Sequence, residues 1–230
     1  MNKTSMAKVG SVCSILAGTV FLASGGVYFL FQVGRFDYDS IQSISEYLTA
    51  VPVASTMWTI LNAGAALASF LAIAGVLALS DELRPVHEGW VRWTSTLAII
   101  GYSILAITNV ADIYQIRRMA SSYFLLDPSA QSALEVMGSG TLDPTLSLRY
   151  ITIGPWFLVA GLLFFRTGLL PKALSCLGVI AGIAALFSVV VSFLELSTLT
   201  MITVALAVVF HPVWLIWTGK ELGRDKPFDV

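Results

Sequence analysis

The segment ALSCLGVIAGIAALFSVVVSFL, Ala173 to Leu194, decides the fold class of this chain. Its 22 residues include no charged side chain. An α-helix rises 1.5 Å per residue, so about 20 apolar residues cross a hydrocarbon core of about 30 Å. The apolar residues are continuous and do not alternate with polar ones, which favours a helix over a strand of a barrel. The segment therefore predicts a transmembrane helix.

Five further apolar runs have the same character, and the composition of the whole chain agrees with them. Of the 230 residues, 57% are hydrophobic and 12% are charged, whereas a soluble domain has about 25% charged residues. No long polar linker divides the chain. We predict one all-α domain over residues 1–230, a polytopic bundle of six transmembrane helices near residues 8–31, 56–79, 91–115, 144–165, 173–194 and 199–218.

Two of the connecting segments are long enough to hold short amphipathic helices at the outer membrane surface. The segment 32–55 contains DYDSIQSISEYL, whose apolar residues recur at helical spacing. In the segment 116–142, Asp127 is a suitable N-cap, Pro128 suits the first turn and Gly138 can end a helix. Long connections of this kind are often functional, so we expect both to face a partner or the solvent.

The distribution of lysine and arginine predicts the orientation of the bundle. With the N-terminus inside, nine of these residues fall on the cytoplasmic side and four on the outer side. Positive residues are enriched in cytoplasmic loops. We therefore expect an integral membrane protein with both termini in the cytoplasm, most simply in a bacterial inner membrane.

The third apolar run ends in a polar stretch, ITNVADIYQIRR. On a helix, Asp112 and Gln115 fall on one stripe with Asn109 beside it. An ionisable group at membrane depth must face the bundle interior or water. We therefore predict a polar cluster near the outer ends of helices three and four, which Arg149 joins from helix four.

An ion pair between Asp112 and Arg149 is the sharpest structural hypothesis for this cluster. Glu195, at the outer end of helix five, is a further member of the cluster or else hydrates the turn into helix six. Three interpretations stay open at this point: an interfacial salt bridge without a ligand, a polar pocket for a small ligand or ion, and contact with lipid head groups.

The two histidines, His87 and His211, limit the metal chemistry of the chain. Membrane di-iron enzymes need many histidines, and a bis-histidine haem needs two on facing helices, whereas His87 is expected in a cytoplasmic loop. His211 lies inside helix six and is a possible ligand for the metal of a haem or a pigment. The alternative is that its ring caps carbonyls freed by Pro212, because proline removes a backbone donor. The sequence requires no cofactor.

Other catalytic and binding motifs do not occur. The chain has no P-loop, no dinucleotide fingerprint and no zinc-protease motif, and no lysine inside a predicted helix for a retinal Schiff base. The net charge of −1 and the lack of a basic patch argue against a nucleic-acid partner. The two cysteines show neither a disulfide framework nor a metal-binding spacing.

Two segments near the C-terminus resemble a known family. LLPKALSCLGVIAGIAALF, Leu169 to Phe187, is a turn with proline and lysine that opens a glycine-rich helix, and HPVWLIWTGKEL, His211 to Leu222, closes the last helix. With six helices in about 230 residues, they resemble a family of bacterial six-helix membrane proteins of unknown function. The resemblance implies a membrane bundle and carries no catalytic residue.

Together these features predict a non-enzymatic accessory or scaffolding subunit of a larger membrane complex, with lipids and other membrane subunits as partners. The helices carry little charge, while small residues and aromatic residues are abundant. The alternative is a binder or transporter of a small molecule, lipid or ion that uses the outer cluster. A membrane-embedded enzyme or pigment binder that uses His211 is the least favoured.

Overall fold

The computed structural model describes residues 5–35, 55–139, 144–194 and 196–224, and in these ranges it is helical without any β-strand. We number the helices in chain order: α1 Ser5–Arg35, α2 Ser55–Tyr123, α3 Pro128–Ser139, α4 Pro144–Thr167, α5 Lys172–Phe193 and α6 Ser197–Gly223. The all-α prediction is confirmed. The outer helix predicted between residues 32 and 55 falls largely outside the described residues, as does Glu195.

Helix α2 is two helices joined at one residue. His87 has non-helical backbone angles of φ −160° and ψ 83°, two residues after Pro85. We call residues 55–86 the first arm of α2 and residues 88–123 its second arm. The Nδ1 atom of His87 accepts a hydrogen bond of 3.5 Å from the backbone N–H of Trp90, as an N-cap does for a new helix. The cytoplasmic loop predicted between helices two and three is therefore reduced to this single break.

The helices are long and apolar enough to make this an integral membrane protein. Five described helices qualify as spans, and one of these runs through α2 from Thr56 to Gln115. A straight helix of its 60 residues would be about 90 Å long, three times the hydrocarbon core. The break at His87 divides it into two arms that are each long enough to cross. Six crossings therefore stay a prediction that this geometry supports.

The long helices pack in the ring order α1, α2, α4, α5, α6 and back to α1. Glycines mark the closest approaches, because a Cβ atom at these positions would collide with the neighbouring helix. Gly10 faces Ala78 and Ala74 of the first arm of α2, and Gly101 in the second arm faces Thr152 of α4. Small residues pack the helices together at these positions, since they let backbones approach closely.

The helix termini at one end of the bundle are fixed by a contact between α1 and α6. The Ser11 hydroxyl donates a 2.7 Å hydrogen bond to the carbonyl of Gly219. The start of α1 and the end of α6 therefore lie on the same side of the bundle, which agrees with the prediction of two termini in one compartment. Which compartment this is stays a prediction. We call this the inner end and the opposite one the outer end.

Helix α3 confirms the predicted outer amphipathic helix after residue 116. The carboxylate of Asp127 accepts hydrogen bonds from the Ser129 hydroxyl at 2.6 Å and from the Ala130 N–H at 2.9 Å. These two bonds, the hydroxyl first, hold the pKa of Asp127 below its usual range. The helix before this loop is longer than predicted, because the second arm of α2 continues past Gln115 to Tyr123.

Candidate functional site

The predicted outer cluster is spread over different environments in the second arm of α2. Asn109 is buried, and its side-chain N–H donates a 2.6 Å hydrogen bond to the carbonyl of Leu105 in its own helix. Asp112 is half-buried one turn further along, and Gln115 is exposed. The Asn109 amide therefore stabilises its own helix. Of the three cluster residues in this arm, Asp112 is the charged one, and it is partly buried.

Arg149 lies in the second turn of α4 and is half-buried, as Asp112 is. Two ion pairs lie near the inner end: Arg84–Asp81 at 3.4 Å in the first arm of α2, and Arg224–Glu221 at 2.7 Å where α6 ends. The Arg84–Asp81 pair is exposed on both sides, and such pairs contribute little to stability. The pairing of Asp112 with Arg149 stays a prediction.

A second polar site lies near the middle of the bundle. The Tyr102 hydroxyl and Nε2 of His211 form a 2.5 Å hydrogen bond between the second arm of α2 and α6. Tyr102 lies 15 residues after the break at His87 and 13 residues before the span ends at Gln115. At 1.5 Å per residue it is close to the centre of the hydrocarbon core. An ionisable side chain at this depth is a functional-site candidate by default.

Aromatic rings from three helices surround this pair. Phe21 of α1 and Phe157 of α4 lie with ring centroids 5.2 Å and 4.9 Å from the His211 ring. The Trp214 ring also packs against Phe157, with a centroid separation of 4.9 Å. Tyr102, Phe157 and Trp214 are almost completely buried, whereas His211 is half-buried. We call Phe21, Tyr102, Phe157, His211 and Trp214, together with Trp156, the central aromatic cluster.

Trp214 and Trp156 differ in their hydrogen bonding, although both are buried. Trp214 Nε1 donates a 3.1 Å hydrogen bond to the carbonyl of Leu174 and so ties α6 to α5. Trp156 Nε1 has no hydrogen-bond partner within the part of the chain that the structure describes, although its side chain is only 1% exposed. A buried donor without a partner is costly, and such groups mark strain, bound water or a binding site.

The sequence identified His211 but missed its partner. One expectation was that the ring caps carbonyls freed by Pro212, whereas in the structure Nε2 bonds the hydroxyl of a residue 109 positions away. A signal was present, because a buried tyrosine hydroxyl usually finds a partner, and Tyr102 stands in the middle of an apolar run. Metal binding at Nε2 would have to replace this hydrogen bond. Among the described residues, no three His, Cys, Asp or Glu side chains form a group that could hold a metal ion.

Similarity to known proteins gives a family but no activity. The chain belongs to a family described as a domain of unknown function, DUF4386, whose sequence profile matches residues 45–219. The matched segment contains both Tyr102 and His211, and the resemblance of the C-terminal segments to a membrane family of unknown function is thereby confirmed. No curated protein and no solved structure matches the chain.

Proposed function

We propose that this member of the DUF4386 family is a non-enzymatic accessory or scaffolding subunit of a larger membrane complex. One observation supports the proposal: an exposed apolar tip that follows the end of the candidate span at Gln115. Phe124 and Leu125, which we call the outer tip, are 57% and 85% exposed.

The outer tip is held away from the membrane by regular structure. The second arm of α2 continues for eight residues past Gln115, about 12 Å along the helix axis. The chain then turns, with a 3.0 Å hydrogen bond from the Leu125 N–H to the carbonyl of Ser122. The side chain of Gln131 in α3 donates to the carbonyls of Tyr123 and Leu126 on either side of the tip. The turn is therefore fixed by hydrogen bonds on both of its sides.

Apolar side chains in this position are best explained by a protein partner. Inside the span, exposed apolar residues face lipid and need no further cover. Beyond it, burying a side chain of this size contributes about 1.5 to 3 kcal/mol, and aromatic residues are enriched among binding hot spots. The partner that fits is an apolar cleft on the extramembrane part of another membrane subunit. Basic residues at the inner end support a cytoplasmic position for that end.

The test replaces the outer tip and follows the assembly. Wild type, the double variant Phe124→Ser with Leu125→Ser, and the matched control Phe124→Leu with Leu125→Met are expressed in native membranes and extracted in mild detergent. Native mass spectrometry then measures the fraction of the chain in a larger complex. We expect wild type and the control in a complex and the serine variant as a lone, folded bundle. A lone wild-type chain would refute the proposal, and so would a serine variant that stays assembled.

A binding site for a small polar ligand or ion at the outer ends of the second arm of α2 and α4 is the second candidate. The partial burial of Asp112 and Arg149, from two neighbouring helices, favours it. Transport sites usually lie near the midplane, so binding at this shallow depth fits better than transport. Isothermal titration of the purified chain with inorganic phosphate and with Na⁺ tests it, and equal heats from wild type and from Arg149→Ala with Asp112→Ala would exclude it.

A further inference from the structure

We propose that the central aromatic cluster is a binding site for an uncharged apolar molecule that presents carbonyl oxygens, of the class to which quinone head groups belong. Two neighbouring features carry the proposal. The Tyr102–His211 pair has one proton left to donate, and the N–H of Trp156 is a second buried donor. Both lie against the same phenylalanine ring, Phe157. The site is separate from the outer tip, and it does not depend on the proposed subunit role.

The hydrogen bond between Tyr102 and His211 leaves one donor unused, whichever way it points. A neutral tyrosine and a neutral imidazole carry two polar protons between them, and one of these lies in the 2.5 Å hydrogen bond. If the hydroxyl donates to Nε2, the remaining proton is on Nδ1. If Nε2–H donates, the remaining proton is on the hydroxyl. In both cases the pair can donate one further hydrogen bond to an acceptor.

Trp156 supplies the second donor. Its indole N–H is buried and has no partner among the described residues, whereas the neighbouring Trp214 uses its N–H for the carbonyl of Leu174. The rings of Trp156 and His211 both pack against Phe157, at centroid separations of 5.2 Å and 4.9 Å. Two unused donors on rings that contact the same phenylalanine favour a ligand with acceptor atoms over a metal ion.

The side chains around the two donors also indicate the shape and the charge of the ligand. The six side chains of the central aromatic cluster are aromatic or imidazole rings, which suit a flat, apolar head group. A charge at this depth is costly because the hydrocarbon core does not solvate it, so an uncharged ligand is favoured. His211 keeps accessible surface while Tyr102, Phe157 and Trp214 do not. A ligand therefore approaches the pair on the imidazole side.

The test measures binding of decyl-1,4-benzoquinone to the purified full chain in lipid nanodiscs. Equilibrium dialysis gives bound quinone from its absorbance, with protein-free nanodiscs subtracted and decylbenzene as the analogue that lacks carbonyl oxygens. The variants are Trp156→Phe, which removes the indole donor, and the double variant Tyr102→Phe with His211→Phe, which removes the donor of the pair; both keep the aromatic rings. Trp93→Phe is the matched control, because Trp93 in the second arm of α2 is 53% exposed and lies outside the central aromatic cluster. Thermal unfolding establishes that each variant is folded.

We expect saturable binding of one quinone per chain and none of decylbenzene beyond partition into lipid. Loss of one hydrogen bond is worth about 1.4 kcal/mol, so Trp156→Phe and the double variant Tyr102→Phe with His211→Phe each weaken binding about tenfold, and Trp93→Phe leaves it unchanged. Equal retention of quinone and decylbenzene would overturn the proposal. Wild-type affinity in both donor variants would do the same and would indicate that water alone satisfies these donors. If the double variant does not fold, the affinity of Trp156→Phe alone tests the proposal.

Discussion

The substitution Gly182→Ala should open the contact between α4 and α5. A Cβ atom at this position would lie 2.6 Å from the backbone nitrogen of Leu158 and 2.9 Å from the carbonyl oxygen of Gly154. Non-bonded carbon contacts are most favourable near 3.5 to 4.0 Å, so the new methyl group is about 1 Å too close. Both atoms that it meets belong to a helix backbone and cannot rotate away. The helices themselves must therefore separate.

The size of the effect follows from two opposing contributions. Overpacking a close interface costs about 1 to 3 kcal/mol. Alanine in a helix interior is about 0.5 to 1 kcal/mol better than glycine, which offsets part of that cost. We expect Gly182→Ala to lower the free energy of unfolding by roughly 0.5 to 2 kcal/mol. Gly26→Ala in α1 makes the same chemical change where nothing lies within 4 Å of the new atom, so it should be neutral or slightly stabilising.

The assay is unfolding of both variants and of wild type in the same detergent, with steric trapping for the free energy and a thermal scan as a check. Gly161 faces the backbone of Val179 and Ser175 on the same seam. Once Gly182→Ala has separated the helices, Gly161→Ala should cost less than it does alone, because neighbouring changes that share one displacement are not additive. A Gly182→Ala variant as stable as Gly26→Ala would refute the close helix contact.

Three further perturbations test other contacts. Arg149→Ala should lower the melting temperature, and Arg166→Ala, at an exposed position, should not. If Asp112 and Arg149 pair as predicted, Asp112→Ala should lower the melting temperature less in the Arg149→Ala background than it does in wild type. Additive losses in the double variant would contradict the pair. The Asp127 cap is present above the ordinary aspartate pKa of about 3.9 and is lost as the pH falls through its lower folded pKa. In acid, hydrogen exchange at the start of α3 should therefore become faster in wild type. It should not do so in Asp127→Asn, because asparagine can cap the helix but does not titrate. Equal acid fraying in both proteins would exclude the Asp127 cap as the cause. Trp214→Phe removes a buried hydrogen bond and should cost about 1 kcal/mol in the same unfolding assay, and an unchanged value would mean that the bond to α5 contributes nothing.

The helices were predictable from the sequence because the membrane imposes a simple rule on it. Continuous apolar runs of sufficient length predict the long helices, and the Asp127–Pro128 signal predicts the start of α3. The boundaries were less accurate at His87 and Gln115. At His87 a polar loop was expected, but a single residue with an N-capping ring is enough to separate two helices. Beyond Gln115 the polar residues predicted an end, yet a helix satisfies its own backbone in water as well as in lipid.

The candidate site was predictable only in part. His211 stands out because a histidine inside an apolar helix is unusual, and the polar residues near Asp112 stand out for the same reason. The bond from His211 to Tyr102 depends on how two helices far apart in sequence are rotated, and small-residue seams set this rotation. The orphaned Trp156 donor depends on the same packing.

The two proposed surfaces are joined by one structural element. The second arm of α2 carries Tyr102 near the midplane and leads directly into the outer tip at Phe124, and between residues 88 and 123 it contains no proline and no non-helical residue. A continuous helix of this kind moves as one rod, so a displacement that a ligand causes at Tyr102 is carried to the tip. Since coupling between two binding sites is reciprocal, a partner that holds the tip must then change the affinity of the central cluster by the same factor. A scaffolding role at the outer tip and a binding site at the midplane are therefore compatible, and this helix is the element through which one would sense the other.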